Sequence, residues 1–155
     1  MDTDKALRDH LLELLEGKSA HIDLESALED FPLDKINEKP GSSPHTAWQL
    51  LEHIRIAQWD ILDFSRNPSY KEMKWPDDHW PKEDGTPDSW KKSVKQTLSE
   101  LQEMRDLVAG KETDLFAKIP HGGGQTILRE ALLTADHNAY HLGQLVLLKR
   151  MFEKK

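Results

Sequence analysis

The sequence predicts an all-α protein folded as a helical bundle. Apolar residues recur at helical spacing in four or five segments, and glycines and prolines separate those segments. No stretch alternates apolar with polar residues as a half-buried strand would. The chain has 155 residues, of which 37% are apolar and 32% charged, which suits one core covered by polar helix faces. No linker divides two cores, so we predict a single domain over residues 1–155.

The N-terminal part of the chain is predicted to hold two short helical segments. The first spans residues 3–16, where leucines recur on one face, and Gly17 provides a C-terminal stop. The second spans residues 19–30, with Ser19 as its N-cap and a stop before Pro32. This second segment is either a separate helix or a kinked continuation of the first. The bundle therefore carries an extra or kinked helix at its N-terminal end.

Three longer helices are predicted in the rest of the chain. The first spans residues 44–66 and begins at Pro44, since proline is well tolerated at the first helical position. The second spans residues 88–109 and ends at Gly110. The third spans residues 125–152 and is apolar nearly all round, which indicates burial on several sides.

A long irregular stretch, residues 67–86, connects the first two of these helices. Loops of this length in a compact domain tend either to cover a functional site or to be mobile. Trp75 and Trp80 lie in this stretch, and each precedes a proline. We predict that the two indole rings wall a pocket.

The composition excludes several classes of function. The net charge is −7, whereas non-specific binding to nucleic acid or to an anionic membrane needs a basic surface. The chain has no cysteine, which removes disulfides, thiolate metal sites and cysteine nucleophiles. The most apolar stretch, residues 127–148, carries charged and polar groups that a lipid-facing span would not tolerate. Since the N-terminus has no apolar signal core, we predict a cytoplasmic protein without nucleic-acid or membrane partners.

Three of the eight histidines are candidate metal ligands. His137 and His141 are four residues apart on the apolar last helix, so their imidazoles lie on one face. His53 lies in the middle of an earlier helix among apolar same-face neighbours, and facing helices bring such side chains together. Buried imidazoles need partners, which a metal ion or hydrogen bonds in the core would supply. We predict one divalent ion on these three residues, in a site open for water or substrate.

Two familiar metal motifs are excluded by inspection. The zinc protease motif H-E-x-x-H would need a Glu at the position of Asn138, which cannot act as the general base. Di-iron carboxylate bundles need a Glu three residues before a ligand His, and none of the histidines has one there. The site is therefore expected to be neither a zincin nor a ferritin-like di-iron centre.

Two runs of sequence, residues 46–54 around His53 and residues 136–144 with the pattern H-x-x-Y-H-x-G-Q, resemble the DinB/YfiT-like superfamily. The resemblance extends over about residues 19–152. It implies a four-helix bundle that is commonly dimeric. It also implies a divalent metal held by His53, His137 and His141 with water completing the coordination.

The resemblance implies several classes of activity and does not single out one reaction. Relatives include transferases and isomerases that use low-molecular-weight thiols, candidate metal-dependent hydrolases, and members without a known activity. We therefore expect a metal-dependent enzyme that activates a small thiol or water for transfer or hydrolysis of a small-molecule substrate, and we expect a homodimer. Zinc or nickel is the first expectation for the metal, followed by iron or manganese. The alternative is a non-catalytic helical ligand-binding or interaction protein with a structural or vestigial metal site.

Further residues are predicted to lie near the metal. Tyr140 is the candidate for a catalytic, proton-handling neighbour, and Gln144 is the candidate for orienting a ligand or a water. If residues 19–31 and 44–66 run antiparallel, His21 is level with His53, and we predict that it contacts the site or the substrate. His79, in the tryptophan-containing loop, is expected to be solvated.

Overall fold

The computed structural model of the protein describes residues 2–153 and confirms the all-α prediction. No β-strand occurs among these residues, and a single turn of 3₁₀-helix at Asp77–His79 interrupts the long loop. The five α-helices in the described part of the chain are α1 (Thr3–Glu16), α2 (Leu24–Leu28), α3 (Ala47–Arg66), α4 (Pro87–Ala109) and α5 (Ile127–Glu153).

Four of the helices form the bundle, and α2 is the extra N-terminal helix. Helix α3 packs against both α4 and α5, and α1 closes the bundle against the same two partners. Helix α1 ends at Gly17, which adopts the left-handed conformation and donates its N–H to Glu13. The kinked-continuation alternative is thereby excluded, since α2 is a separate single turn packed on α5 and α4.

Two helices begin later than the sequence indicated, because better N-caps lie further along the chain. Helix α2 begins after Asp23, whose carboxylate accepts hydrogen bonds from the backbone and hydroxyl of Ser26, and not at Ser19. Helix α3 begins after Thr46 and not at Pro44. Thr46 and Gln49 form a reciprocal capping box in which each side chain accepts from the other residue's backbone N–H.

The core is divided into two apolar clusters by a polar layer at mid-height. One cluster joins the first two turns of α3 to residues 142–148 of α5, and the other joins the end of α3 to residues 127–135. This pairing shows that α3 and α5 run antiparallel. Between the clusters, the buried residues are largely polar: His53 and Gln58 on α3, Ser93, Thr97 and Glu100 on α4, and Asn138 and His141 on α5. Two of the three candidate metal ligands, His53 and His141, belong to this layer.

None of the helices between residues 2 and 153 combines the length and the apolar character that crossing a bilayer requires.

Candidate metal centre

The three predicted ligands meet where α3 and α5 face each other. His53 and His141 are buried, at 2% and 8% exposure, and His137 is partly buried. One ring nitrogen from each residue lies within 4.8 Å of the other two. The Nε2 atoms of His53 and His137 are 3.1 Å apart. The antiparallel pairing brings together imidazoles that are 84 residues apart in the chain.

Hydrogen bonds determine which nitrogen faces the shared point in two of the three rings, those of His53 and His141. The Nδ1 of His53 donates to the backbone oxygen of His79 at 2.8 Å, and the Nδ1 of His141 donates to the Oε1 of Gln144 at 2.7 Å. Both rings therefore hold their proton on Nδ1 and present the lone pair of Nε2. Oxygen partners on the outer nitrogen fix the tautomer and orientation of metal-binding histidines in the same way.

The geometry of the cluster fits a divalent transition metal. Two nitrogens held by one tetrahedral ion at about 2.0–2.1 Å lie about 3.3 Å from each other. The separation of 3.1 Å between the Nε2 atoms of His53 and His137 is close to that value. No fourth histidine and no carboxylate joins the group among residues 2–153. Three imidazoles without a closing protein ligand leave room for water or substrate.

The electrostatic surroundings keep the three rings neutral. Burial lowers the pKa of His53 and of His141, and it lowers the pKa of His137 to about 4, with the neighbouring imidazoles of His141 and His53 adding to the effect. An imidazole with a pKa below its usual value is unprotonated at neutral pH. The lone pairs that a metal requires are therefore available.

The long loop places aromatic rings beside the cluster. That Trp75 and Trp80 wall a pocket stays a prediction. Trp80 stacks parallel on His53 with a centroid separation of 3.9 Å, and His45 stacks on Trp80 at 4.4 Å. Trp75 lies 6.2 Å from His53 between ring centroids and is 67% exposed. The two tryptophans thus lie beside one ligand, one close and the other at the surface.

Hydrogen bonds among Asp60, His79 and Tyr70 hold the loop in place. The sequence analysis did not predict this network. His79 is 7% exposed, so the expectation that it is solvated was wrong. Its Nε2 donates to Asp60 at 3.3 Å, and the hydroxyl of Tyr70 donates to the other oxygen of the same carboxylate at 2.8 Å. Burial and this hydrogen bond raise the pKa of Tyr70. The network holds in place the backbone oxygen of His79 that orients His53.

The other three predicted neighbours of the metal, Gln144, Tyr140 and His21, differ in exposure and in what they contact. Gln144 contacts His141 directly through the hydrogen bond described above. Tyr140 is 67% exposed, and its ring meets the ring of His141 edge-on at 4.9 Å. His21 is exposed and donates to the backbone oxygen of Ile22.

The structure does not bring His21 to the cluster. The residue lines a surface groove beside Ala139 and Gly143, on the side of α5 away from the ligands. Residues 17–22 are not helical, so the antiparallel register on which the prediction depended does not exist.

One comparison with known proteins identifies the family of the chain. A family model described as the DinB superfamily matches residues 18–145, which is more than half of the chain and includes all three histidines. The chain belongs to the DinB superfamily. The comparisons with curated proteins and with solved structures found no match.

Proposed function

We propose that this DinB-superfamily protein is a metal-dependent enzyme in which His53, His137 and His141 hold one divalent cation. The observation that supports this most is the convergence of three neutral imidazoles without a fourth protein ligand among the described residues. When bound, such an ion lowers the pKa of a coordinated water or thiol and so provides a nucleophile near neutral pH. The substrate is a small molecule. Zinc or nickel suits three imidazoles, and iron or manganese is the next candidate.

The chain's own residues would orient the ligands and shield them from solvent. The backbone oxygen of His79 and the side chain of Gln144 hold two imidazoles in the binding tautomer. Trp80 covers one face of His53 and keeps bulk water from it. The chain contains no cysteine, so thiol chemistry at this site would use an external thiol.

Tyr140 is the proposed proton-handling residue. Its ring lies against His141, and its exposure leaves the phenol free to reach a bound substrate or solvent. Tyr140→Phe removes only the hydroxyl, so a loss of turnover at unchanged metal content would support this role. Unchanged turnover would contradict it.

A panel assay tests the proposed activity. Protein loaded separately with zinc, nickel, manganese or iron(II) is mixed with an electrophilic substrate, with and without each of several small thiols. Turnover that requires a thiol supports transfer, and turnover without a thiol supports hydrolysis. Either activity should disappear in His141→Ala and persist in the matched control His10→Ala, which removes an exposed imidazole from α1. Stoichiometric metal without turnover in any condition would favour the non-catalytic alternative.

We also propose that the protein is a homodimer, as its family resemblance implies. Helix α5 leaves large apolar side chains exposed in the single chain, among them Leu132. A second copy of the chain would cover them. Light scattering coupled to size exclusion should report twice the mass of one chain, and a monomer mass would contradict the proposal. A cytoplasmic location stays a prediction.

A further inference from the structure

We propose that a cavity beside the metal centre binds an uncharged alkyl or aryl group of the substrate. This assignment rests on the proposed function, because it assumes that the substrate reacts at the three histidines. The cavity has a volume of about 230 Å³ and lies between the segment that precedes α3 and the C-terminal half of α5. Its apolar lining consists of Pro40, Pro44, Leu50, Leu147, Leu148 and Met151.

Two residues connect the cavity to the metal ligands. Gln144 lines the cavity, and its side chain accepts the hydrogen bond from His141. His45 also lines the cavity, and its ring stacks on Trp80, which in turn stacks on His53. The cavity is therefore one side chain away from His141 and two side chains away from His53. A molecule bound at the metal would enter it by passing Gln144 and His45.

The chemistry of the lining favours an uncharged group. Among residues 2–153, no Asp, Glu, Lys or Arg borders the cavity, and burial lowers the pKa of His45, which keeps that ring neutral. Leu147 and Met151 are 59% and 40% exposed, so apolar surface remains uncovered at the rim. Covering such surface with an apolar group is favourable, whereas a charged group would lose its hydration there.

The volume limits the size of the group. An apolar cavity of about 150 Å³ holds one benzene ring. A cavity of about 230 Å³ thus suits a substituted phenyl group or a straight chain of roughly six carbons. The wall on the loop side is also preorganised, because Pro40 and Pro44 have fixed φ angles and the hydroxyl of Ser43 donates to the backbone oxygen of His45. Ordering the wall on binding should therefore cost little.

The opposite end of the same α3–α5 groove has a different character. One turn before His137, Leu133 borders a surface depression of about 580 Å³ that Asp60, Glu72, Arg129 and Glu130 also line. The charged side chains at that end would bind polar groups of the substrate, and the cavity at the other end would bind its apolar group. The metal ligands lie between them. The contrast orients the substrate with its apolar group toward the C-terminal end of α5.

A series of alkyl hydroxamates tests the assignment, since the hydroxamate group chelates the metal and the alkyl chain probes the cavity. Calorimetry measures binding of aceto-, butano-, hexano- and decanohydroxamate to zinc- or nickel-loaded protein, with metal content checked before and after each titration. Each buried methylene should raise affinity up to about fourfold. We expect at least a tenfold gain, on the order of two or three buried methylenes, from aceto- to hexanohydroxamate and little further gain beyond it.

Two variants on α5 provide the matched comparison. Leu147→Glu places a carboxylate at the rim of the cavity, whereas Leu132→Glu makes the same change at a similarly exposed position outside it. Both should bind acetohydroxamate as the wild type does. The gain with chain length should disappear in Leu147→Glu and persist in Leu132→Glu.

The possible outcomes separate the cavity from the metal site. A flat series in the wild type, or equal gains in the two variants, overturns the cavity assignment and leaves the metal site standing. Protein that takes up no metal, or that holds metal but does not bind acetohydroxamate, overturns the open site of the proposed function and this assignment with it.

Discussion

Two sides of α3 bury polar groups at the same level of the bundle, and they do so in opposite ways. Toward α4, Glu52 accepts hydrogen bonds from Arg55 through both carboxylate oxygens and from the hydroxyl of Ser93. Gln58, nearly two turns further along the helix, donates to the backbone oxygen of Thr97. Toward α5, His53 meets two other imidazoles whose lone pairs point at the same place.

The difference separates a structural layer from a ligand site. A buried donor that meets a buried acceptor is satisfied within the protein and stabilises one arrangement of the helices. Three neutral imidazoles with converging nitrogens cannot satisfy one another, because each hydrogen bond between two rings consumes one proton and leaves other lone pairs unused. A cation satisfies all three at once. The α4 side should therefore affect stability, and the α5 side should affect metal binding.

The largest expected effect is on the α5 side. His53→Ala or His137→Ala removes one of three ligands and should weaken zinc or nickel binding by at least about 100-fold, since loss of mere outer partners already costs about 10–100-fold. Calorimetry and elemental analysis measure the change. The matched control Ser93→Ala lies at the same level on the α4 side and should keep one metal per chain. Metal lost in Ser93→Ala, or retained in both histidine variants, would remove the distinction between the two sides.

The next largest expected effect is on the free energy of unfolding, when a buried polar contact on the α4 side is removed. Glu52→Ala leaves the guanidinium of Arg55, whose side chain is 19% exposed, without its carboxylate. We expect a loss of about 2 kcal/mol in the free energy of unfolding, below the cost for a fully buried pair because solvent reaches Arg55. Urea unfolding measures it. Glu103→Ala breaks a pair with Arg66 in which both side chains are about 40% exposed, and should cost less than about 1 kcal/mol. Equal losses in the two variants would contradict the claim that the buried pair on the α4 side contributes more to stability than an exposed pair.

A smaller effect should follow from loosening one metal ligand. Gln144→Leu removes the acceptor that holds the Nδ1 proton of His141, so metal affinity should fall by about tenfold with little change in stoichiometry. Gln102→Leu, which changes an exposed side chain of α4, is the control and should leave affinity unchanged. Unchanged affinity in Gln144→Leu would show that the amide does not position the ligand.

The smallest expected effect is on the pH dependence of stability and comes from Glu100, a buried carboxyl on the α4 side. Glu100 is 4% exposed, its Oε2 has no hydrogen-bond partner in the described part of the chain, and burial raises the pKa of this carboxyl. A raised pKa in the folded state means that stability is lost as pH rises through it. Glu100→Gln removes that penalty and should stabilise the protein by about 1 kcal/mol at pH 8 but not at pH 4.

Thermal or urea unfolding at the two pH values measures this pH dependence. Glu103→Gln, which changes an exposed carboxyl on the same helix, is the control and should show no such difference. A gain that is the same at both pH values would contradict the assignment of the penalty to the ionised form of Glu100.

The clustering of His53, His137 and His141 was predictable from the sequence because helix periodicity determines which side chains share a face. The spacing of His137 and His141 and the apolar neighbours of His53 are local properties, and the structure brings these residues together. Helix boundaries were predicted less well, because two candidate caps competed within a few residues. Thr46 with its reciprocal partner Gln49 defines the start of α3 better than a lone proline does.

The contacts that the long loop makes with the histidine cluster could not be predicted, because they depend on how the loop folds. His79 reaches His53 through its backbone oxygen, a group that every residue carries and that has no sequence signature. Asp60 holds this loop through Tyr70 and His79, contacts that depend on how residues 67–86 cross α3. The misplacement of His21 has a related origin, since its position was inferred from a helical register that residues 17–23 do not adopt.

X-ray absorption fine-structure spectroscopy of zinc-loaded protein tests the central claim most directly, because it counts the imidazoles bound to the metal. We predict one zinc per chain with three imidazole nitrogens at about 2.0–2.1 Å and one further light atom from solvent. His53→Ala should reduce the imidazole count or release the metal. Wild-type protein that holds no stoichiometric zinc, or a coordination shell that is unchanged by that substitution, would contradict the assignment of His53, His137 and His141 as the metal site.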